Sequence, residues 1–455
     1  MDEFEFKKAQ EEHFRRSMSP HELETFRKQA LSNVVRYVRN HSKFYRQTLR
    51  DTASEVGLES LPFTTKSDLQ SHGLDLLAKS ISEAQVYYET TGTTGNPTPC
   101  PRDWLDVSTS NVPVVESWRS IFNAVLGEEE KPVVALMGPS ELYAFGDTFT
   151  DAARELGVAH VKLWPESNRV GYKNALRLLH ELKVNVVVCA PALALSLAKA
   201  AKENGWSRDD FDIRAFLVLG EICTPAMSQN IKSLWSAETY NILYGSQECH
   251  AVATGCSAQR MHLSETNYIF ELIDDDGKPV PPAPGSHGEL TLTMLVPGMK
   301  PLIRFRTGDQ ATISEETCDC GLPGRTLTIH GRKKDKVLLG EQYRWPGEVE
   351  KLVLSGLRGV YGYTVFVNNE NQSEVRIELE IDHDLISAEE CAQTMVKNFA
   401  KCGVKPTVTI SRKMDPLNSA GSYIGWKAAR IRRDDPSHTD ERDFASIAYR
   451  YETSS

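Results

Sequence analysis

A chain of 455 residues exceeds what one hydrophobic core ordinarily serves and suits two or three domains. With 40% hydrophobic and 25% charged residues it has the balance of a soluble globular protein, and a net charge of −10 argues against nucleic acid or an anionic membrane as partner. No apolar run approaches the roughly 20 residues of a membrane span, Met1-Asp2-Glu3-Phe4 lacks a signal-peptide pattern, and nine mostly scattered Cys suit a reducing cytoplasm.

Up to about Arg50, apolar Leu23, Phe26, Ala30, Val34, Val35 and Val38 recur at helical spacing and predict amphipathic helices. In Thr64-Thr65-Lys66-Ser67-Asp68-Leu69, a Thr or Ser caps a short helix. The runs 131–138, 184–188 and 215–220 are short, apolar and β-branched, with helical patterns such as Thr148–Leu156 and Tyr172–Leu182 between them. Such alternation predicts parallel strands buried on both faces, with ligands at the strand carboxyl ends, where Gly138, Pro191 and Gly220 fall. From Glu289 to Ile313 the pattern alternates, as in antiparallel strands or a small barrel. A shorter α+β unit follows, with strands near Tyr363–Val367 and Val375–Ile381 and a helix near Ala388–Cys402; Arg430-Ile431-Arg432-Arg433 reads as a solvated tail.

The chemistry centres on Tyr88-Glu89-Thr90-Thr91-Gly92-Thr93-Thr94-Gly95-Asn96-Pro97. The glycines let several N–H groups turn inward and the Thr hydroxyls add donors, a cradle for polyphosphate. No Gly-Lys-Ser/Thr follows, so this is not a Walker loop. Three further stretches come after it: Tyr244-Gly245-Ser246-Gln247-Glu248, Arg304-Phe305-Arg306-Thr307-Gly308-Asp309 and Gly331-Arg332-Lys333-Lys334-Asp335.

In that order the four resemble the core motifs of the adenylate-forming superfamily of acyl-CoA synthetases, luciferases and peptide-synthetase adenylation domains. Leu61-Pro62-Phe63-Thr64-Thr65-Lys66 and Cys318-Asp319-Cys320-Gly321 point to its phenylacetate–CoA ligase branch. The resemblance implies an α/β fold. A large adenylating domain over 1–333 would hold parallel sheets and a small barrel, followed by a small mobile α+β domain over 334–455. It implies ATP-dependent activation of an aryl or small organic acid to an acyl-adenylate. Transfer to a thiol would follow, that of coenzyme A or of a carrier-protein phosphopantetheine. A nitrogen acceptor, a non-catalytic nucleotide-binding module and a homodimer all stay open.

The resemblance also assigns roles. Thr90, Thr91, Gly92, Thr93, Thr94 and Gly95 would hold the phosphates, Glu248 a Mg²⁺ ion, and Lys66 would stand near the phosphates, since Asn96 replaces the usual loop lysine. Asp309 would accept the ribose hydroxyls, which a carboxylate can do in pairs. Arg332 would complete the nucleotide contact, and Arg306 is read with it rather than as a surface ion pair. Gly220, Glu221, Ile222, Tyr244 and Gly245 would border the adenine. Tyr143, Phe145 and Gly146, with Gly220 and Tyr244, would line a flat acid pocket. Gln247 departs from the usual Thr or Ser. Lys427, in Gly425-Trp426-Lys427, would complete adenylation, and Lys334 would be the domain hinge. Lastly, Cys318 and Cys320 with Cys256 and His262 form a Cys₃His set suited to structural zinc, with Cys249 or His250 as substitutes.

Overall fold

The computed structural model describes residues 3–50, 57–90, 97–127, 130–281, 283, 285–367, 373–412 and 430–433. Helices Glu3–Phe14, Pro20–His41 and Lys43–Thr48 open the chain. The second begins at a Ser19 cap with Pro20 in its first turn, and buries Ala30, Val34 and Val38 on one face. Thr65 caps helix Lys66–His72 through a capping box with Asp68.

Strands β1 (Val86–Glu89) and β2 (Pro99–Arg102) make an antiparallel hairpin. β3 (Val133–Met137), β5 (Val186–Cys189) and β6 (Ala215–Leu219) are the expected parallel strands, and β4 (Ala159–Lys162), which the apolar pattern does not mark, joins them in the order β6-β5-β3-β4. Every residue of β5 and β6 is buried, which is why those runs are continuously apolar. Helix Phe145–Glu155 starts three residues before the apolar pattern suggests. Its Gly146 lies against Ser140, whose Oγ would stand 2.2 Å from a Cβ there.

β7 (Glu238–Ser246), β8 (His250–Gly255), β9 (Met261–Leu263), β10 (Tyr268–Ile273), β11 (Gly288–Met294), β12 (Phe305–Ser314) and β13 (Thr326–Arg332) follow. The antiparallel strands expected over 289–313 are β11 and β12, which take their place in an open order, β10-β11-β12-β13-β9-β8-β7. Beyond them come the hairpin β14 (Val337–Leu339) and β15 (Gln342–Arg344), then β16 (Val360–Val367), β17 (Glu374–Ile381), β18 (Lys405–Ile410) and β19 (Ile431–Arg433). The last four form one mixed sheet, β18-β17-β16-β19. Residues 430–433 are therefore not a solvated tail. Val365 N–H donates to the Arg430 carbonyl at 2.8 Å, and Ile431 pairs with Val365 in a parallel ladder.

The chain divides into two compact units. One comprises Met1–Ala124, Ser140–Leu156 and Ile242–His330; the other Val125–Pro139, Gly157–Asn241 and Gly331–Ser455. In the first, Tyr45, Leu69, Leu290, Leu292 and Phe305 belong to one buried cluster. In the second, a single cluster runs from Val187 and Phe216 through Met227 and Val349 to Val365 and Ile377. Asn230 ties that unit together, its amide donating to the Val360 carbonyl at 2.7 Å and its Oδ1 accepting from the Val360 N–H at 2.9 Å.

Candidate active site and metal centre

In the first unit the β1–β2 hairpin is the stem of the Gly/Thr loop. Thr90 closes it: its N–H donates to the Thr98 carbonyl at 3.2 Å and its Oγ1 accepts from the Thr98 N–H at 2.9 Å. Thr91, Gly92, Thr93, Thr94 and Gly95 lie outside the described residues. Beside the stem, Tyr88 donates to Asp147 at 2.8 Å, and the buried Arg102 guanidinium lies over the Tyr88 ring at 5.0 Å.

The turn between β7 and β8 carries Glu248, which is buried with only 5% of its surface exposed and makes no hydrogen bond among the described residues. A carboxylate on a largely buried residue, with no donor among the described residues, is one that a cation would complete. Gly245 sets the turn by close approach: a Cβ there would stand 1.9 Å from the His250 carbonyl oxygen. His250 takes a positive φ of 63° and the β7–β8 register shifts between Tyr244 and Gly245. Burial, with Arg102 and Lys300 nearby, holds the His250 imidazole well below its ordinary pKa and hence neutral.

Gln247, which reads in the sequence as a departure, has a visible task. Its side-chain amide donates to the Leu142 carbonyl at 3.3 Å and its oxygen accepts from the Ala144 N–H at 3.4 Å. The same Leu142 carbonyl accepts from the Glu89 N–H at 3.1 Å. Loop stem, Leu142–Gly146 segment and Glu248 turn are thus stitched together. Within that segment Tyr143 is half-buried, while Phe145 is buried in the helix start and packs edge-on to Phe149 at 5.1 Å.

Asp309 lies in a bulge of β12. Thr291 faces Arg306 and Glu289 faces Gln310, so the extra residues at 307–309 are thrown out of register. Gly308 supplies the φ of 80° the bulge needs. Asp309 accepts from the Tyr244 hydroxyl at 2.8 Å, which joins two motifs that are far apart in sequence. Burial and the adjacent carboxylate keep the Tyr244 hydroxyl protonated, with its pKa well above the ordinary value. Lys66 begins a helix pinned to the same strand, because Thr64 accepts from the Arg306 N–H at 2.9 Å. Arg306 is ion-paired to Glu289, contrary to the sequence reading, since β11 places that carboxylate beside it.

In the second unit Gly220 turns the chain at the end of β6 with φ 86°. Ile222 packs where Gly331 and Gly347 leave room for it. The Glu221 side chain is nearly removed from water and bound by Arg430 at 2.6 Å, a partnership the sequence gives no sign of. Arg332 ends β13, and Lys334 sits in the 3₁₀ turn Lys333–Asp335 between Gly331 and Gly340, both at positive φ. Lys427 lies outside the described residues.

Cys256, His262, Cys318 and Cys320 of the first unit bring their ligand atoms within 4.8 Å of one another. The Cys256 and Cys318 sulfurs are 3.8 Å apart, and two thiolates on a tetrahedral zinc stand about 3.8 Å apart. His262 directs Nδ1 to the Pro323 carbonyl at 2.9 Å, leaving Nε2 facing Cys320 at 3.2 Å. Burial lowers the His262 pKa, which favours the neutral ring that a metal needs. The Arg260 and Leu322 N–H groups point at the Cys256 and Cys320 sulfurs at 3.4 and 3.3 Å, donors that would steady the negative charge of thiolates. The set uses neither Cys249 nor His250.

No protein-family model matches the chain. Among curated proteins it is similar to the phenylacetate-coenzyme A ligase of Thermus thermophilus, with 27% identity over 81% of this chain and 85% of that one. It is also similar to that of Aromatoleum evansii, with 23% identity over 91% and 94%. Among solved structures it superimposes on 2-hydroxyisobutyryl-CoA ligase in complex with an acyl-AMP, with a TM-score of 0.76, 17% identity and 96% and 93% coverage. The fold is that of the adenylate-forming enzymes.

Proposed function

We infer that this chain, a homologue of phenylacetate-coenzyme A ligases on an adenylate-forming scaffold, is an acid–CoA ligase. A carboxylate oxygen attacks the α-phosphorus of ATP and expels pyrophosphate; a thiol then attacks the acyl carbon and expels AMP. The hydrogen bond from Tyr244 to Asp309 carries this reading, because it unites two nucleotide motifs in one place.

Each residue has a task in that scheme. The Thr90–Gly95 backbone and hydroxyls cradle the phosphates, with Lys66 beside them. Asp309, oriented by Tyr244, accepts the ribose hydroxyls, and Arg332 completes the nucleotide contact. In the second unit the Gly220–Ile222 turn borders the base. Tyr143 shapes the acid pocket, with Phe145 and the Gly146–Ser140 contact behind it. Glu248 would hold Mg²⁺, which supplies charge neutralisation at the phosphates. Lys427 brings an ammonium to carboxylate and α-phosphate, and Lys334 is the hinge of a mobile domain beyond it. Cys256, His262, Cys318 and Cys320 would hold a structural zinc that fixes the loop after β12.

The acid is an aryl or small organic carboxylate, the thiol that of coenzyme A, and the compartment the cytoplasm, in keeping with nine unbridged cysteines. Product masses from ATP, an acid panel and coenzyme A test this. An acyl-CoA with stoichiometric AMP is expected. Acyl-adenylate formed but passed on only to a carrier protein or an amine would overturn the acceptor. No product with any acid would leave a nucleotide-binding module.

A further inference from the structure

Arg430 is the least expected buried charge in the second unit. Its guanidinium donates to Glu221 at 2.6 Å and to Glu350 at 2.8 Å, and the side chains of all three are nearly removed from water. Glu350 is held in turn by the Thr224 N–H at 2.9 Å and the Tyr363 hydroxyl at 3.0 Å. The network ties four places together: the turn after β6, the helix Pro346–Leu354, strand β16 and the residue just before β19. Its purpose is not general adhesion, because the apolar cluster around Val349, Val353 and Val365 already joins these elements. A buried ion pair is weak evidence for stability, since an apolar replacement often serves as well. It is strong evidence for fixed geometry, because a planar guanidinium engages two carboxylates in only a few orientations.

What is fixed is the Gly220–Ile222 turn. Glu221 points its carboxylate inward to Arg430, while Gly220, at φ 86° and exposed, presents its backbone outward. Residue 430 also stands three positions after Lys427 in the chain.

We propose that Arg430 is a positioning residue for the nucleotide, clamping Glu221 so that the Gly220 turn is held ready for the adenine. The inference rests on the adenylation reading and deepens it. The side chain of Glu221 serves as an anchor, and the base is met by the backbone of the turn. The clamp also makes nucleotide affinity depend on strand β19 being seated, so the seating of β19 and nucleotide binding favour each other.

The test measures AMP affinity by calorimetry, and amide hydrogen exchange of the peptide spanning 219–224 without ligand, in the full chain. Three variants are compared: Arg430→Met, Arg430→Lys and Glu221→Gln. Arg430→Met should weaken AMP binding by roughly tenfold or more. Arg430→Lys should fall between, because one ammonium cannot bridge both carboxylates as a fork does. Exchange at 219–224 should quicken in the same rank order. Should Arg430→Met fail to fold, Glu221→Gln, which leaves Arg430 paired with Glu350, carries the comparison. Faster exchange with unchanged AMP affinity would make the clamp purely structural and overturn the proposal. Unchanged exchange would overturn it as well. If the unaltered chain binds no AMP, the adenylation reading fails and the nucleotide role falls with it. The exchange data would still decide separately whether Arg430 holds the turn.

Discussion

Gly245→Ala is the smallest change that should disable adenylation. The added Cβ would lie 1.9 Å from the His250 carbonyl oxygen and must retreat to at least 3.0 Å, a shift of about 1.1 Å. That oxygen belongs to backbone in a turn already held at positive φ, so no side-chain rotation relieves it. Either β8 moves away from β7 or the Gly245–Glu248 turn opens, and Glu248 moves in both cases. Displacing a reacting constellation by about 1 Å typically costs on the order of a hundredfold in rate. Overpacking of this kind destabilises by roughly 1–3 kcal/mol, which a chain this size should survive folded. The assay is acid-dependent ATP–pyrophosphate exchange beside a melting curve. Gly57→Ala is the control, since nothing lies within 4 Å of its added Cβ and its φ is negative. A rate within about threefold of the unaltered chain, with the melt unchanged, would mean that the turn does not set the site.

Other perturbations reach other parts of the account. Cys318→Ser should lower the bound zinc measured by elemental analysis and melt earlier, because metal binding contributes to folding free energy; a zinc-free unaltered protein prepared without chelator would refute the centre. Asp106, buried and beside Asp103, has its carboxyl pKa pushed up to about 7. The fold therefore favours its protonated form, so stability should fall as pH rises from about 4 to about 7 and level off above. Asp106→Asn should flatten that slope in pH-dependent denaturation, and parallel curves would count against it. Lys427→Ala should slow acyl-adenylate formation by roughly a hundredfold or more, yet spare thioester formation from supplied acyl-adenylate. Equal slowing of both steps would remove Lys427 from the first.

The parallel strands were legible because burial on both faces leaves continuous β-branched runs such as Val186–Val188. The zinc-type set was legible in full, as Cys318 and Cys320 with Cys256 and His262, and the pairing of β9 with β13 seats His262 in that sheet. Close approaches were not legible. Gly146 looks like room for a ring and is filled by Ser140; Gly245 looks like a motif letter and is a steric requirement. Gln247 looks like a lapse from pattern and is a bridge to Leu142 and Ala144. The ion pairs of Arg430 span 209 and 80 residues, and a basic run carries no mark of which member will be buried. Arg306 shows the opposite error, where motif company suggested a nucleotide contact and a strand neighbour took the charge.

Whether Glu248 and its surroundings form an adenylating site is decided by ATP–pyrophosphate exchange with a panel of aryl and small organic acids. Label exchange should require both an acid and Mg²⁺, and Glu248→Gln should abolish it in a protein that still melts cooperatively. Exchange indifferent to acid, or retained in Glu248→Gln within about threefold at saturating Mg²⁺, would contradict the assignment.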